Sequence, residues 1–130
     1  MAWYVDTSAL VKLLVTETES AALRRWLVAS PRILITSDLT RTELMRAVRR
    51  GAPGLATQAR VVLESVSLVS PARDTFDAAG RLAPATLRTR DAIHLASALE
   101  LGDDLEGVLT YDSRMANAAE AYGIPVVGPT

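Results

Sequence analysis

The sequence predicts an α/β protein in which a mostly parallel sheet carries helices on both faces. Short apolar runs alternate along the chain with helical patterns, which is typical of parallel β-α-β units. The apolar runs lack a polar residue at every second position, as expected for strands that are covered on both faces. The chain has 130 residues, and this length favours a single domain spanning 1–130.

Helix starts and stops in the first half of the chain follow from capping and breaking residues. Thr7 or Ser8 can cap a helix directly after the first apolar run. Pro31 breaks the second helix before the next strand, and Gly51 ends the third helix. The elements predicted here are strands at 2–5, 32–36 and 66–69 and helices at 7–15, 16–30, 37–50 and 54–65.

The second half contains the clearest amphipathic helix of the sequence. Its apolar residues recur with i, i+3, i+4 and i+7 spacing at Ala92, Leu95, Ala96 and Leu99. The elements predicted here are helices at 72–84, 88–102 and 112–123 and strands at 107–111 and 124–127. Together with the first half, these elements predict a five-stranded sheet.

Composition excludes several classes of function. The chain has no cysteine, which excludes disulfides, thiolate metal sites and a cysteine nucleophile. A net charge of -1 argues against broad nonspecific nucleic-acid binding, although it leaves room for a local basic patch. No apolar stretch approaches the roughly 20 residues of a membrane span, and no basic region precedes an apolar one at the start. We therefore expect a cytoplasmic protein with no membrane association.

Four acidic residues are predicted to lie near one edge of the sheet, where ligands bind in open α/β sheets. Asp6 and Asp112 directly follow predicted strands, whereas Glu43 and Asp91 lie near the starts of predicted helices. Two carboxylates about 4 Å apart repel each other by roughly 4 kcal/mol at an effective dielectric constant near 20. A converging set of four therefore needs a cation, and an all-oxygen set without histidine or cysteine favours Mg²⁺ or Mn²⁺.

Each acid also has a simple local interpretation. Asp6 and Asp112 can cap the helices that follow them. Asp91 can stabilise the positive end of its helix, and Glu43 can form a surface pair with Arg46 three residues later. These interpretations do not explain why all four acids fall on one predicted edge.

Four segments, in this order and spacing, closely resemble the PIN domain and, within it, the VapC-like toxins of bacterial toxin–antitoxin pairs. They are "VDTSAL" at 5–10, "TRTELMRAV" at 40–48, "RTRDAIHLASAL" at 88–99 and "LTYDSRMANAAEAYGIPVVGP" at 109–129. The resemblance spans essentially the whole chain. It implies a three-layer α/β/α sandwich and a Mg²⁺-dependent endoribonuclease that cleaves RNA phosphodiester bonds by metal-activated water.

The resemblance also assigns roles and partners. It implies that the metal is held by Asp6, Glu43, Asp91 and Asp112, with Ser8 and Thr110 supporting the site by hydrogen bonds. It further implies a cognate VapB-like antitoxin whose tail wraps the first helices and the segment "TRTELMRAVRR". A homodimer, and a higher assembly with the antitoxin, are expected on the same ground.

The arginines near the acids are candidates for contact with the RNA backbone. Arg88, Arg90 and Arg114 either contact RNA, screen the acidic cluster or lie on a solvated helix surface. A second candidate strip flanks the helix at 37–50 and contains Arg46, Arg49 and Arg50.

Two residues allow other interpretations. His94, the one histidine, lies three residues beyond Asp91 and can act as a proton shuttle, but the favoured place is the outer flank of its helix or a hydrogen-bonded core position. An aspartyl-phosphate phosphoryl-transfer domain would need a lysine beside the acids, and Lys12 lies inside the first predicted helix. A catalytically silent binding module with the same fold is the remaining alternative.

Overall fold

The computed structural model describes residues 1–130. The strands are β1 Ala2–Val5, β2 Ile33–Ser37, β3 Ser67–Val69, β4 Leu105–Leu109 and β5 Val126–Val127. The helices are α1 Thr7–Leu14, α2 Ser20–Ala29, α3 Asp38–Gly51, α4 Ala56–Glu64, α5 Arg73–Arg81, α6 Thr89–Leu99 and α7 Ser113–Ala121. Short 3-10 turns cover Pro53–Leu55 and Gly102–Asp104.

The five strands form one fully parallel sheet with the order β3-β2-β1-β4-β5. The chain builds outwards from β1 through β2 to β3 and then returns to build β4 and β5 on the other side. The strand order therefore reverses between β1 and β4, and ligands of open α/β sheets bind at such a switch point. This confirms the α/β fold predicted from the alternation of strands and helices.

Helices cover both faces of the sheet, as a three-layer sandwich requires. One core cluster joins the sheet to α1–α4 and includes Val5, Leu10 and Leu44. A second joins the opposite face to α6 and α7 and includes Tyr4 and Leu95, while α5 packs against α6. Tyr4 and Val5 belong to different clusters because successive residues of a strand point to opposite faces. None of the helices combines the length and the apolar character needed to cross a membrane.

Several element boundaries differ from the sequence prediction by a few residues, and side-chain hydrogen bonds explain two of these differences. Strand β4 ends at Leu109 rather than at Tyr111, because the backbone N–H of Tyr111 donates to the Ser8 hydroxyl instead of continuing a ladder. Helix α2 begins at Ser20 rather than at residue 16. There the Ser20 hydroxyl accepts from the Glu17 N–H and donates to the Lys12 carbonyl, which holds the preceding residues in a turn.

Close approach of the chain requires a glycine at one position of β4. A Cβ atom on Gly107 would lie 2.6 Å from both the ring of Trp3 and the carbonyl oxygen of Pro125. Any side chain there would push β1 or the segment before β5 away from β4. The glycine therefore preserves the strand spacing next to the switch point.

Candidate active site

A cleft of about 370 Å³ opens at the switch point between β1 and β4. Its charged lining consists of three acids and three arginines: Asp6, Glu43, Asp112, Arg46, Arg50 and Arg90. Asp6 directly follows β1, and Asp112 comes three residues after β4 because that strand ends early. The fourth predicted acid, Asp91, lies in the first turn of α6.

Two hydroxyl groups hold the carboxylate of Asp6. Ser8 Oγ and Thr110 Oγ1 each donate to Asp6 Oδ2 at 2.8 Å. The same hydroxyls accept the backbone N–H groups of Tyr111 and Asp112. Asp6 is 6% exposed, and it occupies the N-cap position of α1 without using its side chain as a cap. Ser8 and Thr110, the two residues that the resemblance implies support the site, are thus both hydrogen-bonded to Asp6.

The carboxylate of Glu43 is held by a chain of buried side chains. Its Oε1 accepts from the Thr7 hydroxyl at 2.9 Å and lies 2.5 Å from Nε2 of His94. Nδ1 of His94 lies 2.7 Å from the Tyr4 hydroxyl. A neutral His94 with its proton on Nε2 satisfies both contacts, since Nδ1 then accepts from Tyr4. Burial raises the pKa of Tyr4 to about 12, so this hydroxyl keeps its proton.

His94 is therefore a hydrogen-bonded core residue rather than a residue of the outer helix flank. It is fully buried, and its Nε2 lies 4.0 Å from Asp6 Oδ1 as well as in contact with Glu43. The local pairing of Glu43 with Arg46 is not formed; Glu43 pairs with His94 and Arg90. Local sequence patterns could not predict the His94 contact, because the two residues lie 51 positions apart along the chain.

Asp112 and Asp91 differ in how they are held. Asp112 Oδ1 caps α7 by accepting the backbone N–H of Arg114 at 2.9 Å. Its other oxygen, Oδ2, accepts from Nη2 of Arg90 at 3.2 Å. Asp91 is 2% exposed, and its only ionic neighbour within 4.0 Å is Arg90 Nε at 3.9 Å from Oδ1.

Arg90 is the cation around which the acids gather. Its Nε lies 3.2 Å from Glu43 Oε2, in addition to its contacts with Asp91 and Asp112. Partial burial alone would lower the pKa of Arg90, but the charges of the four acids, that of Glu43 most strongly, together raise it above its ordinary value. Arg90 therefore lies close enough to three of the acids to offset part of their charge.

The acids do not share one electrostatic environment. Burial would raise the pKa of Glu43, but the hydrogen bonds from His94 and Thr7 and the charge of Arg90 together hold this pKa below its usual value. Burial raises the pKa of Asp91, and the charges of Asp112 and Asp6 raise it further against the opposing effect of Arg90. The fold thus favours the ionised form of Glu43 and disfavours that of Asp91.

The other predicted RNA-binding arginines lie on two sides of the acids. Arg46 lines the acidic cleft, as does its neighbour Arg50. Arg88 and Arg114 line a second cavity of about 420 Å³ that also borders Asp91. The guanidinium groups of these four arginines form no ion pair with an acidic side chain.

The lysine required by a phosphoryl-transfer domain is absent from the cleft. Lys12 Nζ pairs with Glu19 at 2.9 Å and with Glu17 at 3.7 Å, and it lies over the ring of Tyr111. It does not line the cavity that contains Asp6.

A divalent ion can be tested against the donors that the cleft offers. The donors are carboxylate oxygens, which hard ions such as Mg²⁺ prefer. Glu43 Oε2 is buried and has no hydrogen-bond partner, since its contact with Arg90 lacks hydrogen-bond alignment. In the present arrangement no group of three or more acidic or histidine side chains is set to hold an ion, and Arg90 lies between the acids. The donor chemistry therefore fits a divalent ion, provided that the Arg90 side chain moves away from the carboxylates.

The parallel sheet and the acids at its switch point define an α/β domain with an anionic site. The sequence model of the PIN domain matches residues 3–121, and the chain belongs to the PIN-domain family. Ribonuclease VapC46 of Mycobacterium tuberculosis is 45% identical over 128 residues, covering 98% of this chain and 97% of the relative.

Two solved structures share the fold at lower identity. VapC20 of Mycobacterium tuberculosis, a toxin that cleaves the sarcin–ricin loop, superposes with a TM-score of 0.79 at 20% identity. That match covers 98% of this chain and 100% of the other. A toxin–antitoxin complex from Klebsiella pneumoniae contains a chain that superposes with a TM-score of 0.73 at 24% identity, covering 99% of this chain and 98% of the other. These likenesses agree with the topology described above.

Proposed function

We propose that this chain, acting as one PIN domain over 1–130, is a metal-dependent endoribonuclease and the toxin of a toxin–antitoxin pair. The observation that carries the proposal is the convergence of four acids from distant parts of the chain around a single cation, Arg90. The name ribonuclease of the 45% identical relative supports RNA as the substrate. Mg²⁺ is the proposed ion, and Mn²⁺ is an expected substitute because both favour oxygen ligands.

The residues proposed to hold the ion are Asp6, Glu43, Asp91 and Asp112. When bound, a divalent ion lowers the pKa of water and neutralises charge that develops on a phosphate. The hydroxyls of Ser8 and Thr110 orient the Asp6 carboxylate, because both donate to the same oxygen and leave Oδ1 free of hydrogen bonds. His94 and Thr7 likewise fix Glu43 through Oε1, which leaves Oε2 facing Arg90 without a hydrogen bond.

The unpaired arginines are proposed to bind the RNA backbone on either side of the acids. Arg46 and Arg50 lie in the acidic cleft, and Arg88 and Arg114 lie in the neighbouring cavity. Guanidinium groups suit phosphate because they present parallel N–H donors. A strand crossing from one cavity to the other would pass Asp91, which borders the second cavity and contacts Arg90 in the first.

A VapB-like antitoxin is the proposed protein partner, as is a second copy of this chain in a homodimer. An apolar groove of about 220 Å³ between α1 and α3 suits an antitoxin segment; it is lined by Val11, Leu14, Val15, Ala47 and Val48. The Klebsiella neighbour is itself a toxin–antitoxin complex. A cytoplasmic location follows from the proposed RNA substrate and antitoxin.

The function is tested by cleavage of RNA by the purified chain with and without Mg²⁺. Asp6→Asn is expected to abolish cleavage, whereas Asp77→Asn, at an exposed position on α5, is expected to retain it. Sequencing of RNA ends after brief induction in cells, with Asp91→Asn as the inactive comparison, identifies the target. Cleavage by Asp6→Asn at the wild-type rate would remove Asp6 from the mechanism. A folded wild-type chain that cleaves no RNA would favour the silent binding module.

A further inference from the structure

We propose that Arg90 is an internal cation of the acidic cluster and competes directly with the divalent ion for Glu43 and Asp112. This inference rests on the proposed function, because it takes the acids to be ion ligands. It distinguishes Arg90 from the other arginines near the acids, which are proposed to contact RNA.

The first argument is the pairing itself. The guanidinium of Arg90 bridges Glu43 and Asp112, with one nitrogen 3.2 Å from each carboxylate. It also approaches Asp91 at 3.9 Å. Arg88 lies three residues from Asp91 and Arg114 lies two residues from Asp112, yet neither forms an ion pair. Arg90 therefore has the place of a counter-ion within the cluster.

The second argument concerns which oxygens are free. Glu43 uses Oε1 for two hydrogen bonds to Thr7 and His94, and Asp112 uses Oδ1 to cap α7. The remaining oxygens, Glu43 Oε2 and Asp112 Oδ2, are the two that Arg90 faces at 3.2 Å. An ion that used these acids without breaking the helix cap or the His94 contact would need the same two oxygens. Arg90 and the ion are thus alternatives at each of them.

The third argument is that the Arg90 side chain can move away from the acids. Its side chain is 48% exposed and lies in the first turn of α6. The guanidinium can therefore turn into solvent without unpacking the helix, whose buried face contains Asp91 and His94. A cation held by ion pairs and half exposed to water is stable enough to order the acids and loose enough to be displaced.

The proposal predicts that Arg90 raises the stability of the metal-free protein but lowers its affinity for a divalent ion. Removal of the Arg90 charge leaves four acids with less compensation, so the metal-free fold is expected to weaken. The same removal vacates the two oxygens, so a divalent ion is expected to bind more tightly. A purely structural arginine would lower both quantities, and an arginine that only contacts RNA would change neither.

The experiment compares the full chain with Arg90→Gln and, as a matched control, Arg88→Gln. Mn²⁺ dissociation constants are measured by electron paramagnetic resonance at low ionic strength, and the melting temperature is measured in chelator. Arg90→Gln is expected to bind Mn²⁺ about tenfold more tightly, equivalent to about 1.4 kcal/mol, and to melt several degrees lower without metal. Arg88→Gln is expected to match the wild type in both.

Unchanged or weaker Mn²⁺ binding by Arg90→Gln would overturn the competition. Asp6→Asn separates this failure from failure of the proposed function. If the wild type binds Mn²⁺ and Asp6→Asn does not, the ion site exists and the result for Arg90→Gln decides the competition alone. If neither the wild type nor Arg90→Gln binds Mn²⁺, both proposals are wrong. Binding by Arg90→Gln alone would establish competition in its strongest form.

Discussion

Replacement of Glu43 by glutamine tests whether its contacts stabilise the ionised carboxylate. The variant keeps the size of the side chain and the Oε1 acceptor, but it places an NH₂ group where Oε2 faces Arg90 at 3.2 Å. Hydrogen bonds to a charged group contribute about 1.5–3 kcal/mol and those to a neutral group about 0.5–1.5 kcal/mol. The contacts with Thr7 and His94 are weakened and the Arg90 pair is lost. Together these changes are expected to lower the free energy of unfolding by about 2 kcal/mol.

The direction of this effect follows from the pKa of Glu43, which lies below its ordinary value of 4.5. A lowered pKa in the folded state means that folding stabilises the carboxylate, so that removing its charge destabilises the fold. For 130 residues, an unfolding entropy of about 2.1 cal/mol/K per residue converts the cost into a melting temperature lower by about 7 °C. Relief of a burial penalty would instead leave the variant as stable as the wild type.

The assay is thermal unfolding of metal-free protein between pH 7 and pH 4. The stabilisation from Glu43 is fully present above the unfolded pKa and is lost as the pH falls through the lower folded pKa. The deficit of Glu43→Gln is therefore expected to be complete at pH 7 and to shrink below about pH 4.5. Glu64→Gln, at an exposed position on α4, serves as the control. Equal melting temperatures at pH 7, or a deficit that is the same at pH 4, would refute the reasoning.

Three further substitutions, one of them with a matched control, have defined signs. Asp91→Asn is expected to raise the melting temperature of metal-free protein at pH 7, because the pKa of Asp91 in the folded protein lies above 3.8. This gain should disappear as the pH falls towards 3.8. A variant that melts below the wild type at pH 7 would contradict the prediction. Thr110→Val removes a hydroxyl that donates to Asp6 and should cost about 1–3 kcal/mol in urea unfolding; no loss would show that this bond contributes little. Gly107→Ala should cost about 1–3 kcal/mol because its Cβ would meet atoms at 2.6 Å, whereas Gly80→Ala, in open space on α5, should stabilise slightly.

Local patterns were sufficient to predict the architecture. Alternating strands and helices predicted the parallel sheet, and the structure confirms all five strands. The predicted end of β4 was wrong, because the true end depends on a hydrogen bond between Tyr111 and Ser8, which lie 103 positions apart. Similarly, the start of α2 depends on Ser20 closing a turn with Lys12. Patterns within a short window contain no information on such partners.

In the candidate site, too, the sequence predicted where some residues lie but not which residues they contact. Placement after two strands predicted that Asp6 and Asp112 lie near one edge of the sheet, and both line the same cleft. The partners of Glu43 were not predicted, because apolar periodicity does not distinguish a buried histidine that packs from one that also donates to an acid. His94 reaches Glu43 over 51 positions and Tyr4 over 90. Tyr4 in β1 could have indicated a buried polar partner such as His94, since a buried tyrosine hydroxyl usually needs one.

The fold stabilises its acids by unequal means, and this inequality bears on how an ion would bind. Asp6 has two hydroxyl donors, and Glu43 has His94, Thr7 and Arg90. Asp91 is almost fully buried, with Arg90 at 3.9 Å as its one ionic neighbour, and burial raises its pKa. The carboxylate with the least compensation gains most from a nearby dication. We therefore expect Asp91 to contribute more than Glu43 to the affinity for an ion, because binding to Glu43 must first replace contacts that already favour its charge.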